Sequence, residues 1–353
     1  MLYQTRNPHG GDIYDQSQPI ALDFSANTNP FGTPPRVLEA MRQALGQVHH
    51  YPDPYCRALV EAIAEFEGVP REYILCGNGA ADLIYSYCEA VRPQSAAELA
   101  PTFSEYSLGL KRVGGTVQRY VLKKEEAFLP DGRFLLWLEE TRPQSVFLCN
   151  PNNPTGQLIP SALLEEILDF CHRTGIRLFL DECFLDLSEG GRSLKHRLAD
   201  HPELFLLKAF TKSYGMAGVR LGYGLCSDPA LLSRMAETTQ PWNVSTLAQA
   251  AGVAALKEQA FLTKTRALIA AERPWMKMQL EALGFWVCPA SANYLFFQGT
   301  PGLCEALKPQ GIALRDCANY PGLGPGWYRT AVRLHSQNQQ LMAALAALNP
   351  QEG

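Results

Sequence analysis

The stretch FTKSYGMAGVRLGYG, residues 210–224, sets one lysine, Lys212, among small polar residues and places Arg220 just ahead of an apolar run. It follows LFLLKAF, which begins at Leu204 and has the length of a buried strand, so Lys212 is expected where that strand ends. Four other runs share this character: YILC from Tyr73, SVFLC from Ser145, RLFL from Arg177 and LGYGLC from Leu221. Helical periods lie between them. PPRVLEAMRQAL puts Val37, Leu38, Met41 and Leu45 on one face, and PSALLEEILDFCHRTG does the same with Leu164, Ile167, Leu168 and Cys171 before stopping at Gly175. Strands alternating with amphipathic helices predict an α/β fold, with a mostly parallel central sheet sandwiched by helices.

After Thr239 the character changes. The Ala-rich segment from Ser245 to Gly284 reads as helical with a break expected at Pro274. ANYLFFQG and TAVRLH then read as strands of a smaller α+β unit. The expected division is a large domain over 30–248 and a small domain built from both chain ends, 1–29 with 249–353.

Composition narrows the function. The chain has 353 residues, 46% of them hydrophobic, enough to bury a substantial core. A formal charge of -4 leaves no electrostatic footprint for nucleic acid, so small molecules or a second copy of the chain are the expected partners. None of the ten cysteines forms a C-x-x-C pair, and Cys76, Cys149, Cys183 and Cys226 lie in or beside apolar runs. Reduced thiols in a cytoplasm, with no metal site, are expected. MLYQTRNPHGG lacks the apolar core of a secretory leader, and no stretch approaches the ~18 apolar residues of a membrane span.

Chemistry-bearing residues gather just after the strand-like runs, where open α/β sheets bind ligands. In CGNGAADLIYSYC, Gly77 and Gly79 permit a tight turn that aims the amides of Ala80 and Ala81 outward at a positive helix end. This suits phosphate, although an ordinary glycine-rich turn has the same pattern. CNPNNPTG carries Asn153 on a loop stiffened by two prolines. Asp181 ends RLFL, where a carboxylate is costly unless a cation, a helix cap or a local salt bridge meets it. Lys212 projects to the same sheet edge. A desolvated amine there has a lowered pKa and bonds aldehydes. Together a phosphate at the turn and Arg220, an aldehyde at Lys212 and a ring nitrogen at Asp181 describe pyridoxal phosphate.

The ordered motifs GNGAAD, PTFSEY, NPNNPTG, DECF and TKSYGMAGVRLGY resemble the aspartate-aminotransferase superfamily, fold type I of the pyridoxal-phosphate enzymes, over essentially the whole chain. The resemblance implies that Lys212 carries the cofactor, Asp181 pairs with its pyridine nitrogen and Asn153 hydrogen-bonds its phenolic oxygen. Gly79, Ala80, Ala81, Thr211 and Arg220 would hold the phosphate, and Phe103 would stack on the ring, with Tyr106 as the fallback. HHYPDPYC resembles a segment whose tyrosine reaches the neighbouring subunit's phosphate, so Tyr51 implies a homodimer with shared sites. Arg329 matches the arginine that receives the substrate's carboxylate, whereas Arg333 reads as a solvated strand charge. One position departs from the pattern: the family commonly has an aromatic hydroxyl where this chain has Phe184.

Within the superfamily, HGGDIY from His9, LDFSANTNPFG from Leu22 and LRDCANYPGLGPGWYRTAVR from Leu314 resemble the threonine-phosphate decarboxylases of cobalamin biosynthesis. Histidinol-phosphate aminotransferases are the next resemblance. The first implies loss of CO2 from a phosphorylated amino acid, with His9, Asn27, Arg315 and Arg329 as its anion-binding set. Orientation separates the two reactions, because the Cα bond aligned with the cofactor's π system is the one that breaks.

Overall fold

The computed structural model describes residues 9–348. The leader reading of residues 1–8 lies outside the described residues, as do 349–353. A short strand, β1 (Leu22–Asp23), precedes those of the central sheet: β2 (Ile74–Gly77), β3 (Ser95–Ala100), β4 (Thr116–Val121), β5 (Ser145–Cys149), β6 (Arg177–Asp181), β7 (Leu204–Ala209) and β8 (Gly222–Leu225). Their spatial order is β2, β8, β7, β6, β5, β3, β4. Pairing is parallel from β7 through β4, while β8 runs antiparallel to both β7 and β2. The reversal follows from the short link between Ala209 and Gly222, which holds only one helical turn and no full crossover.

Alternation along the strands builds two apolar layers. Phe147, Phe179 and Phe205 face Leu83, Ile84 and Tyr87 of the helix Ala80–Val91 and Met235 of Pro229–Thr238. Val146, Leu148, Leu178, Leu180, Leu204 and Leu206 face the other side, with Ile167 and Leu168 of Ser161–Thr174. Each phenylalanine buried this way is worth about 1.5–3 kcal/mol, so period-two alternation fixes which face each strand shows. The sequence reading missed β3 and β4. SAAELA is alanine-rich and resembles a helix, yet all of it but Ser95 is buried, and its Glu98 survives there by pairing with Arg119 of β4 at 2.8 Å.

The Ala-rich segment breaks at residues 256–258, between helices Thr246–Ala255 and Gln259–Ala282, and not at Pro274. Pro274 sits inside the second helix, where burial of Ile269, Glu272, Arg273 and Met276 on either side offsets the lost hydrogen bond.

The remaining strands are β9 (Trp286–Val287), β10 (Tyr294–Gln298), β11 (Ile312–Ala313), β12 (Arg315–Asp316) and β13 (Trp327–Ala331). β12, β13, β10 and β9 form a small antiparallel sheet. TAVRLH therefore straddles a strand end, and Arg333 lies beyond β13, partly buried, as a correction to its reading as a solvated strand charge. β1 pairs in parallel with β11, and Ala331 donates its amide to the Phe24 carbonyl at 2.9 Å. This threading sets residues 23–27 beside the two arginines of β12 and β13. Among the described residues all ten cysteines are free thiols, and no helix is long and apolar enough to cross a membrane.

Candidate active site

Parallel register brings the ends of β5, β6 and β7 level, with Cys149 opposite Asp181 and Asp181 opposite Leu207. The segments that leave these strands wall a cleft of about 230 Å³, which gathers Asn153, Asp181, Thr211 and Lys212 from one side and His9, Asn27, Arg315 and Arg329 from the other. Ala80, Ala81, Phe103 and Arg220 complete it. The lining thus brings together most of the residues singled out in the sequence.

Lys212 lies in a one-turn helix, Phe210–Ser213, and its Nζ faces the Phe184 ring at 5.5 Å from the centroid. Burial pushes its pKa down to about 8, aided by the positive charges of Arg329 and Arg220, so the ammonium still predominates near physiological pH but gives up its proton far more readily than an ordinary lysine. Asp181 is 5% exposed, with Oδ1 accepting the Cys183 amide at 2.9 Å and Oδ2 the Tyr106 hydroxyl at 2.6 Å. Burial raises its pKa, and those hydrogen bonds together with the Lys212 charge oppose the rise. Tyr106 is fully buried beneath the cleft. It braces Asp181 and is not placed to stack, which removes it as the fallback for Phe103.

The anion turn is shaped by Gly79, whose φ of 81° favours glycine and where a Cβ would lie 2.5 Å from Arg220 Nη2. The guanidinium therefore rests on the turn, directly over the first amides of the helix Ala80–Val91, which have no intrahelical acceptor. On the opposite wall Arg329 donates to Asn153 Oδ1 and, at 2.7 Å, to the Ser25 carbonyl. The Tyr320 hydroxyl donates to the same Asn153 oxygen at 3.3 Å. With its oxygen so engaged, Asn153 is left to present its amide nitrogen as a donor. Arg315 reaches Asn319 at 2.8 Å and lies over the Tyr320 ring at 5.3 Å. Neither side-chain polar atom of Asn27, 1% exposed, has a hydrogen-bond partner among the described residues.

Tyr320 and Ser25 were missed as site residues. Tyr320 stood within the motif between the two arginines, and that flanking was the available signal. Tyr51 is not in this cleft: it is 78% exposed, stacks on Trp242 at 4.4 Å and lines a separate groove of about 670 Å³.

The described groups fit pyridoxal phosphate. Gly79 leaves room for an anion cradle that a Cβ would fill, Lys212 offers an amine whose pKa is lowered to about 8, Asp181 a buried carboxylate, and Asn27 unpartnered polar atoms facing the cleft. Fold and site together define a fold type I pyridoxal-phosphate enzyme, and its cofactor is pyridoxal 5'-phosphate. The chain belongs to the aminotransferase class I and II family, whose model matches residues 19–348. It is 36% identical to a threonine-phosphate decarboxylase of Salmonella typhimurium, covering 96% of this chain and 95% of that one. It is also 35% identical to a histidinol-phosphate aminotransferase of Anaeromyxobacter sp., over 92% and 90% of the two chains. In fold it is similar to histidinol-phosphate aminotransferase of Sinorhizobium meliloti in complex with pyridoxal-5'-phosphate, with a TM-score of 0.85 at 23% identity over 98% of this chain and 96% of that one.

Proposed function

We propose that this protein decarboxylates L-threonine O-3-phosphate to (R)-1-aminopropan-2-yl phosphate and CO2, in the cytoplasm and toward cobalamin. The carrying observation is the wall opposite Lys212. Arg329 is buried at 6% exposure and held by an amide oxygen and a carbonyl, neither of which neutralises it, beside Arg315 at 9% and the unpartnered Asn27. A buried cation held only by neutral oxygens, as Arg329 is, and a buried amide without hydrogen bonds, as in Asn27, are both costly. A substrate with both a carboxylate and a distal phosphate supplies what is missing, and one α-carboxylate alone leaves part of this wall unmatched.

Bound pyridoxal phosphate supplies an electron sink for whichever Cα bond stands perpendicular to its ring. The chain's own residues select that bond. His9, Asn27 and Arg315 hold the distal phosphate and Arg329 the carboxylate, which fixes rotation about the bond from Cα to nitrogen. Asp181 and Asn153 keep the ring polarised and in place, while Gly79, Ala80, Ala81, Thr211 and Arg220 secure its phosphate. The Lys212 amine, with a pKa near working pH, returns a proton to Cα after CO2 departs.

The same reading pairs two copies as a homodimer, with Tyr51 reaching the neighbouring site, and divides the chain into 30–248 and a smaller domain from 1–29 with 249–353. It is supported by the exposure of Tyr51 together with Leu45 and Val48, and by the β1–β11 pairing.

The second reading is amino-group transfer from histidinol phosphate, favoured by the near-equal identity to such an enzyme. Incubating holoenzyme with phosphothreonine, and separately with histidinol phosphate plus 2-oxoglutarate, separates the two. CO2 release from the first, with little glutamate from the second, supports the decarboxylase; steady glutamate without CO2 replaces it with the aminotransferase.

A further inference from the structure

Glu105 opens the helix Glu105–Arg112 and is 8% exposed. Both of its oxygens are engaged. Oε1 lies 2.7 Å from His9 Nε2, and Oε2 accepts the Tyr85 hydroxyl at 2.7 Å. Tyr85 belongs to the helix that starts at the anion turn, and Arg112 lies over its ring at 5.6 Å, so the support behind Glu105 comes from a regular element. The His9 hydrogen bond, joined by that of Tyr85, holds the Glu105 carboxyl below its ordinary pKa against the effect of burial. His9 itself lines the cleft and tilts against Phe103 at 5.7 Å.

The backbone behind His9 is equally constrained. A Cβ on Gly10 would collide with the Ser25 carbonyl, the same oxygen that accepts Arg329, and the Gly11 amide donates to Ser25 Oγ at 2.7 Å. The N-terminal segment is thus seated at two points, on Ser25 through its backbone and on Glu105 through the imidazole.

We propose that Glu105 is a positioning residue, which holds His9 in the cleft so that the imidazole meets the distal phosphate of the substrate. The proposal rests on the reading of His9 as a phosphate-binding group. Its physical content is preorganisation: an imidazole on an irregular segment samples many orientations, and a fixed carboxylate removes that ordering cost from substrate binding.

Glu105→Gln keeps an acceptor but removes the charge that draws His9 inward. Its KM for the phosphorylated substrate should rise about tenfold while kcat changes much less, the order expected when a charge-assisted hydrogen bond is loosened. Calorimetry of inorganic phosphate binding to holoenzyme should show a parallel loss, independent of which reaction the enzyme performs. Adding Glu105→Gln to His9→Ala should cost little further. Tyr85→Phe, which loosens Glu105 from behind without touching a charge, should shift KM in the same direction by less, and it serves if the glutamine variant does not fold. A rise in KM for His9→Ala with none for Glu105→Gln or Tyr85→Phe overturns the positioning role alone. Fully additive losses in the double variant overturn it as well. No rise in KM for His9→Ala removes the phosphate-binding reading of His9, and the role of Glu105 with it.

Discussion

Lys208 is the penultimate residue of β7, and Lys212 lies one turn beyond, in the helix Phe210–Ser213. Lys208 points into a buried cluster, with Glu67 at 3.1 Å, Asp186 at 3.2 Å and Glu182 at 4.0 Å. Burial works against its ammonium, but Asp186, Glu67 and Glu182 outweigh burial and hold its pKa well above the ordinary lysine value. In Lys212 burial is the main cause of a pKa that falls to about 8, and the positive charges of Arg329 and Arg220 add to it where Asp181 opposes. Burial is common to both lysines, so reactivity is set by the sign of the neighbouring charges. The two regions are also mechanically joined: Asp186 accepts the Ser213 hydroxyl at 3.1 Å, and the Ser213 carbonyl accepts from Asn29 at 2.8 Å, so the paired cluster braces the turn that presents Lys212.

The largest effect expected from this contrast is on catalysis. Lys212→Ala should lower turnover by about 10³-fold or more while leaving the denaturation midpoint near that of the parent, because it removes both the cofactor's anchor and the proton donor at Cα. Kinetics and a urea titration on the same preparation check both halves.

Lys208→Ala should do the reverse. It removes the cation shared by three carboxylates, of which Glu67 keeps Lys195 at 2.9 Å and Asp186 keeps the Ser213 hydroxyl, at a cost of about 3–5 kcal/mol of stability, seen in denaturant unfolding. An unchanged midpoint would show that the cluster is solvated and that the contrast with Lys212 is false.

A smaller effect tests the charge state of the cluster. Burial raises the Glu182 carboxyl to about 7, and its Oε2 has no hydrogen-bond partner among the described residues. A folded-state pKa above the unfolded value of 4.5 contributes stability that is complete below pH 4.5 and is lost as pH rises through about 7. Glu182→Gln lacks that titration. Relative to the parent it should therefore gain about 2–3 kcal/mol between pH 4.5 and pH 8, measured as the difference between their unfolding free energies.

The smallest effect belongs to Phe184→Tyr, which restores the hydroxyl the family commonly has beside the cofactor's phenolic oxygen. One neutral hydrogen bond is worth about 1 kcal/mol, so turnover should change by less than about tenfold. The visible absorption of the holoenzyme should shift as the new donor meets the ring.

The sequence was most readable where strands are rich in aromatic and branched residues. SVFLC, RLFL and LFLLKAF announced β5, β6 and β7, and residues just past them proved to line the cleft. β3 was hidden because alanine carries no strand signature, and its place is decided by neighbours on both sides. The bond from Tyr106 to Asp181 spans 75 positions and has no local pattern to betray it. Lys208 was likewise opaque. Its partners Glu67, Glu182 and Asp186 come from separate elements, and only the packed sheet shows that this lysine is neutralised while Lys212 is not.

The most direct test of that central contrast is to reduce the holoenzyme with borohydride, digest it with trypsin and locate the pyridoxyl group by mass spectrometry. The modified peptide should run from Ala209 to Arg220, with the label on Lys212 blocking cleavage there. A label on Lys208, or none on Lys212, would contradict the account.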